Sequence, residues 1–127
     1  MTDSDSILIA ANIHKSYGER RILTDISFAL KRGEVVGFLG PNGAGKTTTM
    51  RILTGYIPAD EGAVHIDGQD LATASERAKS RLGYLPETPP LYGEMTGREY
   101  LTFAARIKGM PEGEIPAAVD RALAAAL

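Results

Sequence analysis

Apolar and polar residues alternate at the start of the chain. Ile7, Ile9, Ala11 and Ile13 fall on one side, which predicts a strand. Ser16-Tyr17-Gly18-Glu19 reads as a turn, and a second alternation over Ile22 to Leu30 places Ile26, Phe28 and Leu30 on one face. After the turn Lys31-Arg32-Gly33-Glu34, the pattern changes. Val35-Val36-Gly37-Phe38-Leu39 is apolar without interruption, which predicts a strand buried on both faces. The next six residues, Gly40 to Gly45, are too rich in glycine to form an element. Lys46 to Thr54 then has Met50 and Leu53 three apart, the spacing of a helix face, with Gly55 as its stop and Pro58 blocking continuation.

In the middle of the chain, Ala63 to Ile66 alternates with Val64 and Ile66 inward, and Asp67-Gly68 supplies a hairpin turn. Thr73 and Glu76 have the spacing of a capping box and predict a short helix to about Ser80. Leu82 to Leu85 reads as a short strand. Glu87-Thr88-Pro89-Pro90 predicts a loop, since it suits neither a helix nor a central strand. Thr96 and Glu99 form a second capping box, followed by a stripe of Tyr100, Phe103 and Ile107 up to Gly109. This stripe reads as core. A last helix is expected from about Pro116, with Val119, Leu123 and Leu127 four apart.

Composition narrows the class. The 127 residues are 43% hydrophobic and 24% charged, an ordinary globular mixture. The net charge of −2 gives no basic excess for sequence-independent nucleic-acid binding, so no nucleic-acid partner is expected. There are no cysteines, which excludes disulfide scaffolds and thiol nucleophiles. No apolar run approaches the ~18 residues of a membrane span. The acidic start, Met1 to Ser6, lacks the form of a signal peptide, so a cytoplasmic location is expected. His14 and His65 have no second ligand at metal-binding spacing, and Glu34 and Asp25 read as solvated turn residues.

The 14 glycines concentrate where chemistry is possible. Gly40-Pro41-Asn42-Gly43-Ala44-Gly45-Lys46-Thr47 matches G-x-x-x-x-G-K-[ST]. A loop freed by glycine turns its backbone N–H groups inward as an anion nest, and the following helix adds free N–H groups and the positive end of its dipole. Lys46 brings an ammonium to the outer phosphates, Thr47 offers a hydroxyl to Mg²⁺, and Thr48 can donate to an inner phosphate. The predicted strand before the loop and helix after it are the context this motif requires. By itself the motif indicates a nucleoside triphosphate with Mg²⁺ and leaves ATPase, GTPase and kinase open.

The wider sequence resembles the ATP-binding subunits of ABC transporters. Gly40 to Thr48, as G-P-N-G-A-G-K-T-T, is similar to their Walker A loop. Lys15-Ser16-Tyr17-Gly18 lies where the family keeps an aromatic that stacks on adenine. Ile26-Ser27-Phe28 with Gly33-Glu34, Leu53-Thr54-Gly55 with Pro58, Gly62, Val64, Ile66 and Gly68, and Gly83-Tyr84-Leu85-Pro86-Glu87 follow in the family's order. The resemblance implies an α/β P-loop NTPase fold of the ABC type, incomplete, with N-terminal antiparallel strands, the Walker A strand-loop-helix and the start of a helical subdomain. It implies one partial domain over 1–127, with about 1–86 as nucleotide-binding core and 87–127 as Q-loop and first helical segment.

The same resemblance implies ATP and Mg²⁺ as ligands, with Tyr17, Gly40, Pro41, Asn42, Gly43, Ala44, Gly45, Lys46, Thr47 and Thr48 on the nucleotide. Thr47 and Glu87 are implied at the metal, and Lys46 and Glu87 in support of catalysis. Glu87 stands where the family usually has Gln, a variant that resembles export-type subunits; the bland alternative is a surface Glu in a proline loop. A permease and a second ATP-binding subunit are the implied partners, at the inner face of the cell membrane.

The signature loop, the Walker B strand ending in Asp-Glu and the switch histidine of the family have no counterpart in this sequence. The chain therefore reads as the N-terminal part of a longer ATPase and is expected to lack turnover alone. Another P-loop enzyme, a GTPase or a kinase, and a non-catalytic nucleotide-binding stub are the alternative readings.

Overall fold

Two long strands, β1 (Ser6–Tyr17) and β2 (Arg20–Lys31), form an antiparallel hairpin closed at Gly18, whose φ of 59° suits the tight turn. The computed structural model describes residues 5–40, 45–86 and 92–126. The described residues divide into two units, one running up to Tyr84 and the other from Leu85.

The first unit is a four-stranded antiparallel sheet in the order β2-β1-β3-β4, with β3 spanning Glu61–Ile66 and β4 Gln69–Asp70. Asp67 and Gly68 both have positive φ, 49° and 79°, as the expected two-residue turn between β3 and β4 requires. Val64 and Ile66 point inward at 4% and 2% exposure. They meet Ala10, Ile13 and Leu23 from the hairpin and Ile52, Leu53 and Ala78 from two helices, α1 (Lys46–Leu53) and α2 (Ser75–Lys79). Helix α1 therefore lies against the sheet through Ile52 and Leu53. It ends in a Schellman motif: Gly55, at φ 80°, donates to the Ile52 carbonyl and Tyr56 to that of Arg51.

Strand β1 is interrupted by a bulge that the alternation did not reveal. Asn12 has φ 53° and its partner Asp25 has φ 49°, with the Asn12 side-chain amide donating to the Asp25 carboxylate at 2.7 Å. Asp25 is therefore a bulge partner, not simply a solvated turn residue. On the other side of β1, Gly62 lies so close that a Cβ would run into the Asn12 carbonyl oxygen. A glycine at this position lets β3 pair with β1 across the bulge.

Two predicted strands are not found. Residues 34–40 and 82–86 have no ladder partner among the described residues. Val35 and Leu39 are 97% and 94% exposed, against the expectation of burial on both faces. Phe38 packs against Phe28 of β2, at 6.2 Å between rings. Strand structure needs a hydrogen-bonded neighbour as well as an apolar composition, and the ladders of the described sheet, in the order β2-β1-β3-β4, do not include this run. The predicted Thr73–Glu76 capping box is also not formed. The helix begins at Ser75, and the Asp70 carboxylate accepts the Ala72 N–H instead. The helix takes Ala74 as its N-cap, one residue beyond Thr73, which puts the Thr73–Glu76 pair out of register with the box.

The second unit is a helical pair, α3 (Gly97–Ile107) and α4 (Ile115–Ala126), joined through a 3₁₀ turn at Glu112–Glu114. The Thr96–Glu99 capping box is present in both directions, at 3.1 and 3.0 Å. Gly109 closes α3 with a second Schellman motif. Arg98 pairs with Asp120 across the two helices at 2.7 Å, and Ile115 and Val119 are buried. The Tyr100, Phe103 and Ile107 stripe departs from its reading as core. Tyr92 covers Tyr100 and Phe103, but Ile107 remains 70% exposed.

Candidate nucleotide site

The helix start is the centre of the site. Gly45 is the N-cap of α1, in the left-handed region at φ 91° and ψ 6°. Glycine is needed here twice over. The conformation disfavours any other residue, and a Cβ would stand 2.7 Å from Leu23 Cδ2 and 3.4 Å from Ile22 Cγ2. The Gly45 carbonyl accepts both the N–H and the hydroxyl of Thr49, each at 2.8 Å. Thr49 is 3% exposed. The end of the phosphate-type loop is thereby fixed from below by β2 and from within by α1.

The first turn of α1 is Lys46, Thr47 and Thr48. It contains no acidic residue, and its N-cap has no side chain to satisfy the leading N–H groups. Thr47 is exposed, while Lys46 and Thr48 are half-buried. The donor set consists of helix-start N–H groups, an ammonium and two hydroxyls, with no carboxylate to repel an anion. Its chemistry suits phosphate oxygens. Hydroxyl oxygen is also a hard donor of the kind Mg²⁺ takes. Pro41, Asn42, Gly43, Ala44 and Glu87 lie outside the described residues. Gly40 is at the exposed end of the extended segment.

Tyr17 closes β1 and is 49% exposed. The sheet links it to the helix start. Leu23, against which Gly45 rests, pairs in register with Lys15, and the Lys15 ammonium stands over the Tyr17 ring, 5.5 Å from its centroid. Sequence reasoning missed Leu23, Thr49, Lys15 and Asp60 as supporting residues. Thr49 belongs to a run of three threonines that gives no sign of which one turns inward. Asp60 is remote in sequence from the strand it holds.

An apolar cleft of about 240 Å³ lies at the opposite end of α1, lined by Ile52, Ile57, Pro58 and Leu71 among others, without a charged side chain. That lining does not suit a triphosphate. His65 faces Asp70 at 3.9 Å on the outer side of β3, and His14 accepts the Asp25 N–H. No group of three or more potential metal ligands occurs among the described residues, and no helix there is long and apolar enough to cross a membrane.

Against known proteins, the ABC transporter family model matches residues 23–126. The chain belongs to the ABC transporter family, as an ATP-binding region. It is 41% identical over 108 residues to the linearmycin resistance ATP-binding protein LnrL of Bacillus subtilis, covering 85% of this chain and 35% of LnrL. It is 40% identical over 105 residues to the lipopolysaccharide export system ATP-binding protein LptB of Haemophilus influenzae, covering 81% and 44%. A solved ATP-binding subunit of an ABC transporter superposes with a TM-score of 0.76 at 38% identity, over 86% of this chain and 45% of that one. The ABC chain described here thus spans less than half the length of these relatives. An incomplete P-loop NTPase fold of the ABC type agrees with these matches.

Proposed function

We propose that this chain binds Mg·ATP as the nucleotide-holding part of an ABC transporter subunit that couples ATP hydrolysis to export. The observation that carries the reading is the helix start at Gly45, an acid-free first turn of donors held on Leu23. Backbone N–H groups of Asn42, Gly43, Ala44 and Gly45 cradle the phosphates, with Gly40 and Pro41, which has no N–H of its own, shaping the start of the loop. Lys46 neutralises the outer phosphate charge, Thr47 holds Mg²⁺ through its hydroxyl, and Thr48 donates to an inner phosphate. When bound, Mg²⁺ supplies charge neutralisation between the phosphates. Tyr17 offers its ring to adenine. Glu87 acts beside the metal in place of the usual Gln. The names of relatives such as the lipopolysaccharide export protein LptB support the export direction.

A permease and a second ATP-binding subunit are the proposed partners, on the cytoplasmic face of the membrane. Hydrolysis relies on positioning and charge stabilisation around the transferred phosphoryl. The residues of this chain supply the cradle, without the carboxylate that orients water, and so bind ATP without turning it over. The deciding experiment is calorimetry with Mg·ATP on the chain and on Lys46→Ala. Loss of affinity in the variant supports the reading. Equal affinity sinks it.

A further inference from the structure

Asp60, in the loop between α1 and β3, grips the end of β1 at three consecutive residues. Its Oδ2 accepts the Ser16 N–H at 2.7 Å, its Oδ1 lies 3.3 Å from Lys15 Nζ, and its own N–H donates to the His14 carbonyl at 2.8 Å. The Ser16 contact joins residues 44 apart in sequence. The Ser16 N–H, and after it the Lys15 ammonium, hold the Asp60 carboxyl below the usual carboxylate range, so it is charged at neutral pH.

The next link leads to the ring. The Lys15 side chain is only 12% exposed, although it ends in a charge. Its ammonium stands between the Asp60 carboxylate and the face of Tyr17, 5.5 Å from the ring centroid. A free lysine on a strand end would sample many rotamers. Here the carboxylate removes that freedom. Ser16 is also the residue from which the chain enters Tyr17, so the backbone bond at Ser16 sets where the ring begins. Tyr17 itself keeps 49% of its surface open. With an ammonium over one face, the stacking reading of Tyr17 puts the base against the other.

We propose that Asp60 is a positioning residue for the nucleotide base: it fixes Ser16 and Lys15, and Lys15 fixes the plane of the Tyr17 ring. The inference rests on the stacking reading of Tyr17 and adds to it a residue from a different element. Among the described residues, Asp60 bonds to His14, Lys15 and Ser16 and not to Lys46, Thr47 or Thr48, so its effect is confined to ligands that carry a base.

The test measures binding of two Mg²⁺-loaded probes, ATP and inorganic tripolyphosphate, to the full chain by calorimetry. Asp60→Ala should weaken ATP about threefold to tenfold, the range for a lost ring–cation contact and its coupling, with tripolyphosphate unchanged. Asp60→Asn retains an oxygen for the Ser16 N–H and should lose less. Lys15→Met, which keeps the apolar stem and leaves Asp60 intact, should show the same ATP-only loss and decides the matter if Asp60→Ala does not fold. In a Tyr17→Ala background, Asp60→Ala should have no further effect. Equal losses for both probes, or additive losses in the double variant, would overturn the proposal by showing a general structural role. If Tyr17→Ala weakens ATP and neither Asp60→Ala nor Lys15→Met does, the positioning role alone is wrong. If Tyr17→Ala leaves ATP binding unchanged, the stacking reading fails and the positioning role falls with it.

Discussion

Gly45 and Leu23 are in contact distance of any side chain Gly45 could have carried: a Cβ there would stand 2.7 Å from Leu23 Cδ2. The N-cap of α1 and the first part of β2 are thus fitted to each other, and Leu23 is 4% exposed with little room to retreat.

Gly45→Ala is therefore expected to lower stability by about 2–4 kcal/mol, combining a left-handed non-glycine residue with overpacking. Denaturant unfolding checks this. Adding Leu23→Ala should not restore stability, because the backbone strain at φ 91° remains and a buried leucine is lost. Full recovery in the double variant would show that the steric contact was the whole effect.

Lys46→Ala should behave in the opposite way. Lys46 opens the helix as a charge, half-buried, and its loss should leave the unfolding midpoint within about 0.5 kcal/mol of the parent. Mg·ATP affinity should fall at least about tenfold, as for loss of a charge-assisted contact. A variant that unfolds but binds normally when folded would contradict both halves.

Tyr17→Ala should weaken ATP by about 1–3 kcal/mol, the range for an aromatic ring stacked on a base. Tyr17→Phe and Tyr17→Trp should be close to neutral, since only a ring face is used. A large loss on Tyr17→Phe would point to the hydroxyl instead.

Glu87 gives a kinetic prediction. In the full-length protein, Glu87→Ala should lower ATPase turnover more than ATP affinity, because the cradle still holds the phosphates. Glu87→Gln should keep much of the activity. Parent-like turnover in both variants would return Glu87 to the status of a surface loop residue.

Acid should destabilise both units. The Asp60 carboxyl is held low by the Ser16 N–H, and that of Glu99 by the Thr96 N–H. A carboxyl with a lowered folded pKa stabilises above its unfolded value, and that stability is lost as pH falls through the folded one. The melting temperature should accordingly drop on going from about pH 5 to pH 3, across the ordinary carboxylate range. Asp60→Asn and Glu99→Gln should each flatten that dependence. Thr96→Ala, which removes the cap oxygen, should cost about 1 kcal/mol at neutral pH. An unchanged acid profile in the two carboxylate variants would count against these bonds.

The sequence by itself determined what depends on near neighbours. Turns at Gly18 and Asp67-Gly68, the Thr96–Glu99 capping box and the glycine stops at Gly55 and Gly109 are decided within a few residues, and each stands where the pattern places it. The phosphate-type motif is also local, since its glycines, Lys46 and Thr47 all fall within the eight residues from Gly40 to Thr47. Tertiary structure alone decided the rest. The apolar run at Val35–Leu39 carries the composition of a buried strand, yet pairing is a property of neighbours and not of the run. The bulge at Asn12 depends on Asp25 and Gly62, which only sheet pairing brings beside it. Thr73 and Glu76 have the right spacing, but the helix takes Ala74 as its N-cap, one residue out of register with the box. Lys15 and Asp60 became partners because the loop after α1 returns to the end of β1, a closure that no spacing in the chain encodes.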